Sequence, residues 1–130
     1  MRKLIDDIKK NEGFVGTVYK DSLGFNTIGY GSLLPISETE ATLILVSRLN
    51  EKVSEIEKKE PFIKSLPIEK QEIIYEMCYQ MGVSGVLKFI KMWDALKIFD
   101  YNEASRQMLD SRWAQQTSNR ARMLAEKMEQ

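Results

Sequence analysis

Apolar residues recur along the chain at spacings that change with position. Leu4, Ile5 and Ile8 lie at helical intervals and Gly13 follows as a stop, which predicts a short helix over about 2 to 11. From Phe14 to Leu34 the pattern turns to β-branched and aromatic residues, with a turn signal at Asp21-Ser22-Leu23-Gly24 and glycines at 16, 29 and 31. That stretch reads as a small antiparallel hairpin or sheet, ended by Pro35. Ser37-Glu38-Thr39-Glu40 matches a capping box, so a helix begins there. Ala41, Leu45, Leu49, Val53 and Ile56 then form one apolar stripe to about Lys59.

Pro61 and Pro67 punctuate the next connection. Pro67 suits the first turn of a helix that turns Ile73, Ile74, Met77 and Met81 inward and closes at Gly82. Further helices are expected over 87–99, 102–109 and 117–128, the last with Ala121, Leu124, Ala125 and Met128 on one face. The fold class is therefore α+β, with the strands segregated near one end. One domain is expected over 1–130: a small β-lobe at about 13–35, a connecting helix at about 37–60, and a helical lobe at about 61–130 that includes the N-terminal helix. A cleft between two such lobes would be a natural ligand site.

Composition narrows the chemistry. The chain has no histidine, which removes Ser-His-Asp catalysis and the commonest metal ligand. Its single cysteine, Cys78, lies in an apolar run and reads as a small buried hydrophobe. Acid–base chemistry then falls mainly to carboxylates, with lysine and tyrosine as rarer choices. Nineteen basic residues against nineteen acidic ones give no net field to draw the chain onto nucleic acid. No segment approaches the roughly 20 apolar residues that span a bilayer, and charges interrupt the N-terminus where a signal peptide would be continuous. The sequence thus predicts neither stable membrane insertion nor export by its own signal.

Two carboxylates stand out. Glu12 ends the first helix, where the negative end of the helix dipole disfavours ionisation and suits a general acid. Asp21 opens the turn nine residues on, a position that can keep it ionised, and Thr27 on the returning strand carries a hydroxyl suited to holding a water or a sugar oxygen. A glutamate at a helix end and an aspartate opening a turn are also common for local reasons, and spacing alone does not separate the two explanations.

The residues around them do. Glu12-Gly13, Tyr19-Lys20-Asp21, Gly24 and Thr27-Ile28-Gly29-Tyr30-Gly31 resemble the signature of the T-even phage lysozymes, glycoside hydrolase family 24. Gln80-Met81-Gly82, the stretch from Gly85 to Phe89, Glu103-Ala104, Ser111-Arg112-Trp113, and Gln116-Thr117 with Asn119-Arg120-Ala121-Arg122 resemble the family's helical lobe in the same order. The resemblance implies a lysozyme-like fold and an endolysin that hydrolyses the β-1,4 bond between N-acetylmuramic acid and N-acetylglucosamine by inversion. Glu12 would be the general acid, Asp21 would assist attack by water, and Thr27 would place that water. Inversion implies carboxyl groups roughly 6.5 to 9.5 Å apart.

By the same resemblance Leu33, Tyr79, Gln107 and Met92 fall at saccharide-contacting places, and Arg120 near the catalytic acid. Tyr79 and Gln107 differ in type from the residues of the best-known member, and at Met92 a thioether replaces a hydroxyl. Trp113 reads as core. No cofactor or metal is implied, since two carboxylates and water suffice. The partners implied are peptidoglycan glycan strands, met by a monomer that waits in the host cytoplasm until release to the wall. Ser32 stands where the family has histidine, and the β-lobe is short, because only Pro35 and Ile36 separate Leu34 from the capping box. Two alternatives are a wall-binding protein with little or no catalysis and a lytic transglycosylase; Asp21 and Thr27 together argue against the latter.

Overall fold

A computed structural model describes residues Met1–Gln130. The elements run α1 (Arg2–Glu12), β1 (Val15–Lys20), β2 (Asn26–Gly29), β3 (Ser32–Leu33) and α2 (Glu38–Lys59). A 3-10 turn over Pro61–Ser65 follows, then α3 (Ile68–Met81), α4 (Val83–Leu87), α5 (Ile90–Lys97), α6 (Tyr101–Leu109), α7 (Arg112–Gln116) and α8 (Ser118–Glu129). The chain is α+β and mostly helical, and it divides into two compact units, Met1–Ile44 and Leu45–Gln130. No helix is long and apolar enough to cross a membrane.

In the first unit α1 stops at Gly13, which takes φ +73° while its N–H donates to the Lys9 carbonyl at 2.9 Å. A positive φ is cheap only for glycine, so the residue after Glu12 fixes where the helix ends. The three strands form an antiparallel sheet in the order β1-β2-β3. Tyr19 lies opposite Thr27 and Lys20 opposite Asn26, with an irregular register between Val15 and Tyr19. Thr27 in turn lies opposite Leu33. The unit has little core of its own. Thr27 is its sole buried residue, and Leu4, Ile5 and Ile8 of α1 stay exposed.

The capping box forms as its sequence predicts. Ser37 N–H donates to Glu40 Oε1 at 2.9 Å and Glu40 N–H to Ser37 Oγ at 3.1 Å, and these bonds hold the Glu40 carboxyl below the ordinary carboxylate range. The stripe along α2 departs from expectation. Ala41 and Leu45 are exposed, Leu49 and Val53 half-buried, and only Ile56 is buried. The apolar face meets a packed core only toward the helix's C-terminal end.

That core belongs to the second unit. Ile73, Ile74 and Met77 of α3 join Val86, Leu96, Met108, Leu124 and Met128 in one buried cluster, with Met81 packed at its edge. The single helix expected over 87–99 is two helices. The Val86 carbonyl accepts from Phe89 N–H at 3.1 Å and from the Trp93 indole at 3.1 Å, so it leaves the helical ladder and the chain turns between α4 and α5. The five-residue α7, too short for periodicity to reveal, is capped by Ser111 Oγ accepting from Ala114 N–H.

Lys70 closes the far end of α8. Lys70 is 6% exposed as a residue, and its ammonium donates to the Lys127 and Met128 carbonyls at 2.8 Å each and stands 4.9 Å from the Tyr101 ring centre. The last carbonyls of a helix lack internal partners, and a cation satisfies them and the dipole together. Burial pulls the Lys70 pKa down from its ordinary value, opposed by Glu69. Cys78 is fully buried in the same core, and burial first, then Glu55, pushes its thiol up to about 12. It therefore offers no thiolate near neutral pH.

Candidate active site

Glu12, Asp21, Thr27 and Leu33 all lie in the first unit, on the end of α1, the β1–β2 turn, β2 and β3. Glu12 is exposed. Its carboxyl fits against the backbone of Gly31, in the loop between β2 and β3. A Cβ at Gly31 would collide with Glu12 Oε2 and lie 2.9 Å from Cδ. Gly31 also takes φ +75°, which side chains rarely adopt. The glycine therefore serves the loop and leaves room for the carboxyl that α1 presents.

This predicts a contrast between two glycines. Gly31→Ala and Gly24→Ala both place a side chain at positive φ, and each should lower stability by about 1–3 kcal/mol in a urea unfolding curve. A Cβ at Gly24 meets nothing within 4 Å. Only Gly31→Ala should also displace Glu12, so at equal folded fraction any activity that depends on Glu12 should fall in Gly31→Ala and persist in Gly24→Ala.

Asp21 is fixed by its own turn. Oδ1 accepts from Leu23 N–H at 2.9 Å and from Phe25 N–H at 2.8 Å, so one carboxylate oxygen does the structural work. The backbone closes the turn as well, with Asp21 N–H donating to the Phe25 carbonyl at 2.9 Å and Gly24 N–H to the Asp21 carbonyl at 3.0 Å. Thr27 Oγ1 donates to that same Phe25 carbonyl at 2.9 Å. Phe25 thus ties Asp21 and Thr27 together through one backbone oxygen, a link invisible in a side-chain motif. Thr27 is only 2% exposed, and because its hydroxyl proton is committed to Phe25, it has lone pairs rather than a proton to offer. Leu33, opposite Thr27, presents an exposed apolar side chain.

The second unit carries the remaining expected residues. Tyr79, partly exposed, lines a concavity of about 540 Å³ with Arg48, Lys52 and Gln80. Gln107 lines another of about 400 Å³ with Lys88, Lys91 and Asp110. Met92 borders that concavity, yet its accessible surface is 0% and it belongs to the packed core. With no accessible surface, Met92 backs the wall of that concavity and does not offer the saccharide contact expected of it. Arg120 Nε donates to Glu76 on α3 at 3.0 Å, giving it a carboxylate partner within its own unit. Trp113 is buried, as its sequence context predicts, and its indole donates to Gln80 Oε1 at 2.9 Å. No group of three His, Cys, Asp or Glu side chains converges as a metal site would require.

Comparison with known proteins places the chain in a family. The phage lysozyme family model matches residues 9–129. Probable T4-type lysozyme 1 of Dictyostelium discoideum is 30% identical over a region covering 89% of this chain and 87% of that protein. Probable T4-type lysozyme 2 of the same organism is 28% identical, covering 91% of this chain and 88% of its own. The pre-baseplate central spike protein Gp5 of Enterobacteria phage T4 is 28% identical over 88% of this chain, which corresponds to 25% of the spike protein. The chain belongs to the phage lysozyme family and is a glycoside hydrolase, with bacterial peptidoglycan as the substrate that membership implies.

Proposed function

We propose that this chain cleaves the β-1,4 bond between N-acetylmuramic acid and N-acetylglucosamine with inversion, using Glu12 as general acid and Asp21 to draw a proton from the attacking water. Glu12 gives its proton to the glycosidic oxygen as the bond to the anomeric carbon breaks. Water adds to that carbon from the opposite face, and its proton passes to Asp21. Thr27 accepts a hydrogen bond from the same water. Leu33 gives the sugar an apolar contact beside Thr27, and Tyr79, Gln107 and Arg120 are the glycan-contacting side chains of the second unit.

One observation carries this reading. Asp21 is held through Oδ1 alone and is joined to Thr27 through the Phe25 carbonyl, so Oδ2 is left without a bond inside the protein, and the buried Thr27 hydroxyl, its proton committed to Phe25, has only acceptor capacity left. A fixed carboxylate with one spare oxygen is what water activation needs.

The test is the chemistry of the cut ends after digestion of purified peptidoglycan, read by mass spectrometry. Hydrolysis yields reducing N-acetylmuramic acid ends. Anhydro-muramic ends would make the chain a lytic transglycosylase, and wall binding with no new ends would make it a binding protein.

A further inference from the structure

Two aromatic side chains flank the proposed acid and are left out of the core. Phe14 is two residues beyond Glu12 and 68% exposed; Tyr30 precedes Gly31, against which the Glu12 carboxyl fits, and is 40% exposed. Their ring centres are 5.6 Å apart and their planes inclined at 52°, so the two rings pack on each other in a tilted pair while keeping much of their surface in solvent. The Lys9 ammonium lies 5.5 Å from the centre of the Tyr30 ring. Phe14 follows the end of α1 and Tyr30 lies in the β2–β3 loop, so the pair is carried by the two segments that border Glu12.

Large aromatics usually bury most of their surface, and exposed apolar patches are among the features of ligand-binding surfaces. A pyranose ring offers a complementary surface, since its axial C–H bonds form an apolar face while its hydroxyls stay in water. The Lys9 cation restrains Tyr30 through attraction to the ring's electron-rich face, which reduces the ordering needed on binding. We propose that Phe14 and Tyr30 form a stacking platform for a pyranose of the glycan strand adjoining the bond that Glu12 protonates. This rests on the assignment of Glu12 as the acid. Both residues position substrate; neither takes part in proton transfer.

The probe is soluble peptidoglycan glycan strands freed of their peptides, titrated by calorimetry into the full chain carrying Glu12→Gln so that nothing is cleaved. Adding Phe14→Ala and Tyr30→Ala should weaken binding about tenfold, the scale of a lost aromatic contact. Phe14→Trp should restore it, and Val18→Thr, which removes a different exposed apolar residue of β1, should leave it unchanged. With Glu12 intact, the double alanine variant should raise KM by a similar factor and alter kcat by less than about twofold. Unchanged binding by a folded double variant, or equal weakening by Val18→Thr, overturns the platform. If the wild type makes no new chain ends yet binding still depends on Phe14 and Tyr30, the platform stands and the catalytic assignment falls. If cleavage requires Glu12 but binding ignores the aromatics, the reverse holds.

Discussion

Glu12→Gln will fold as the wild type does and lose peptidoglycan cleavage by about 10²–10⁴-fold, the usual contribution of a positioned general acid. Glutamine has nearly the same shape as glutamic acid, so it can occupy the space against Gly31 that the carboxyl fills. The end of α1 does not depend on the replaced group, because Gly13 N–H caps the helix on the Lys9 carbonyl. In the proposed mechanism, what disappears is the proton that the departing glycosidic oxygen receives. The change should therefore appear in kcat, with the unfolding midpoint little moved. Cleavage within about threefold of wild type would remove Glu12 from the mechanism.

Asp21→Asn should cost a similar order in rate and separate charge from structure. The amide oxygen of asparagine can still accept from Leu23 and Phe25 N–H, so the turn survives. Hydrogen bonds to a neutral acceptor are weaker than those to a carboxylate, and a loss of about 1 kcal/mol is expected. Asp21→Ala removes the acceptor altogether and should lose a further ~1 kcal/mol or more while being no less inactive. A folded Asp21→Asn that cleaves normally would reduce Asp21 to a turn residue. Chemical denaturation beside steady-state rates distinguishes these results.

Much of the scaffold behind these residues was legible in the sequence wherever local chemistry decides structure. Gly13 and Gly82 end helices at positive φ, and Ser37 with Glu40 begins one through paired hydrogen bonds, because each depends on a few neighbouring residues. Periodicity failed where the outcome depends on distant parts of the chain. The spacing of Ala41 and Leu45 matches that of Ile56, but only Ile56 lies where a core exists to receive it. The break between α4 and α5 turns on one carbonyl captured by the Trp93 indole, which no hydrophobic pattern encodes.

The candidate site divides along the same line. Glu12, Asp21 and Thr27 were visible as residue types in a recognisable order. Their coupling was not, since it runs through the Phe25 backbone carbonyl, an atom every residue possesses. The Glu76 partner of Arg120 and the burial of Met92 likewise follow from helix packing in the second unit. Ser32 in place of the family's histidine fits a strand position that is exposed, where a small hydroxyl needs no partner.

The most direct test of the mechanism is the configuration of the newly formed reducing end, followed by proton NMR in the first minutes of cleavage before mutarotation equilibrates it. If Asp21 assists water while Glu12 protonates the leaving oxygen, the α-anomer of N-acetylmuramic acid appears first. Initial appearance of the β-anomer would mean a double displacement, with a carboxylate as nucleophile, and would contradict the role given to Asp21.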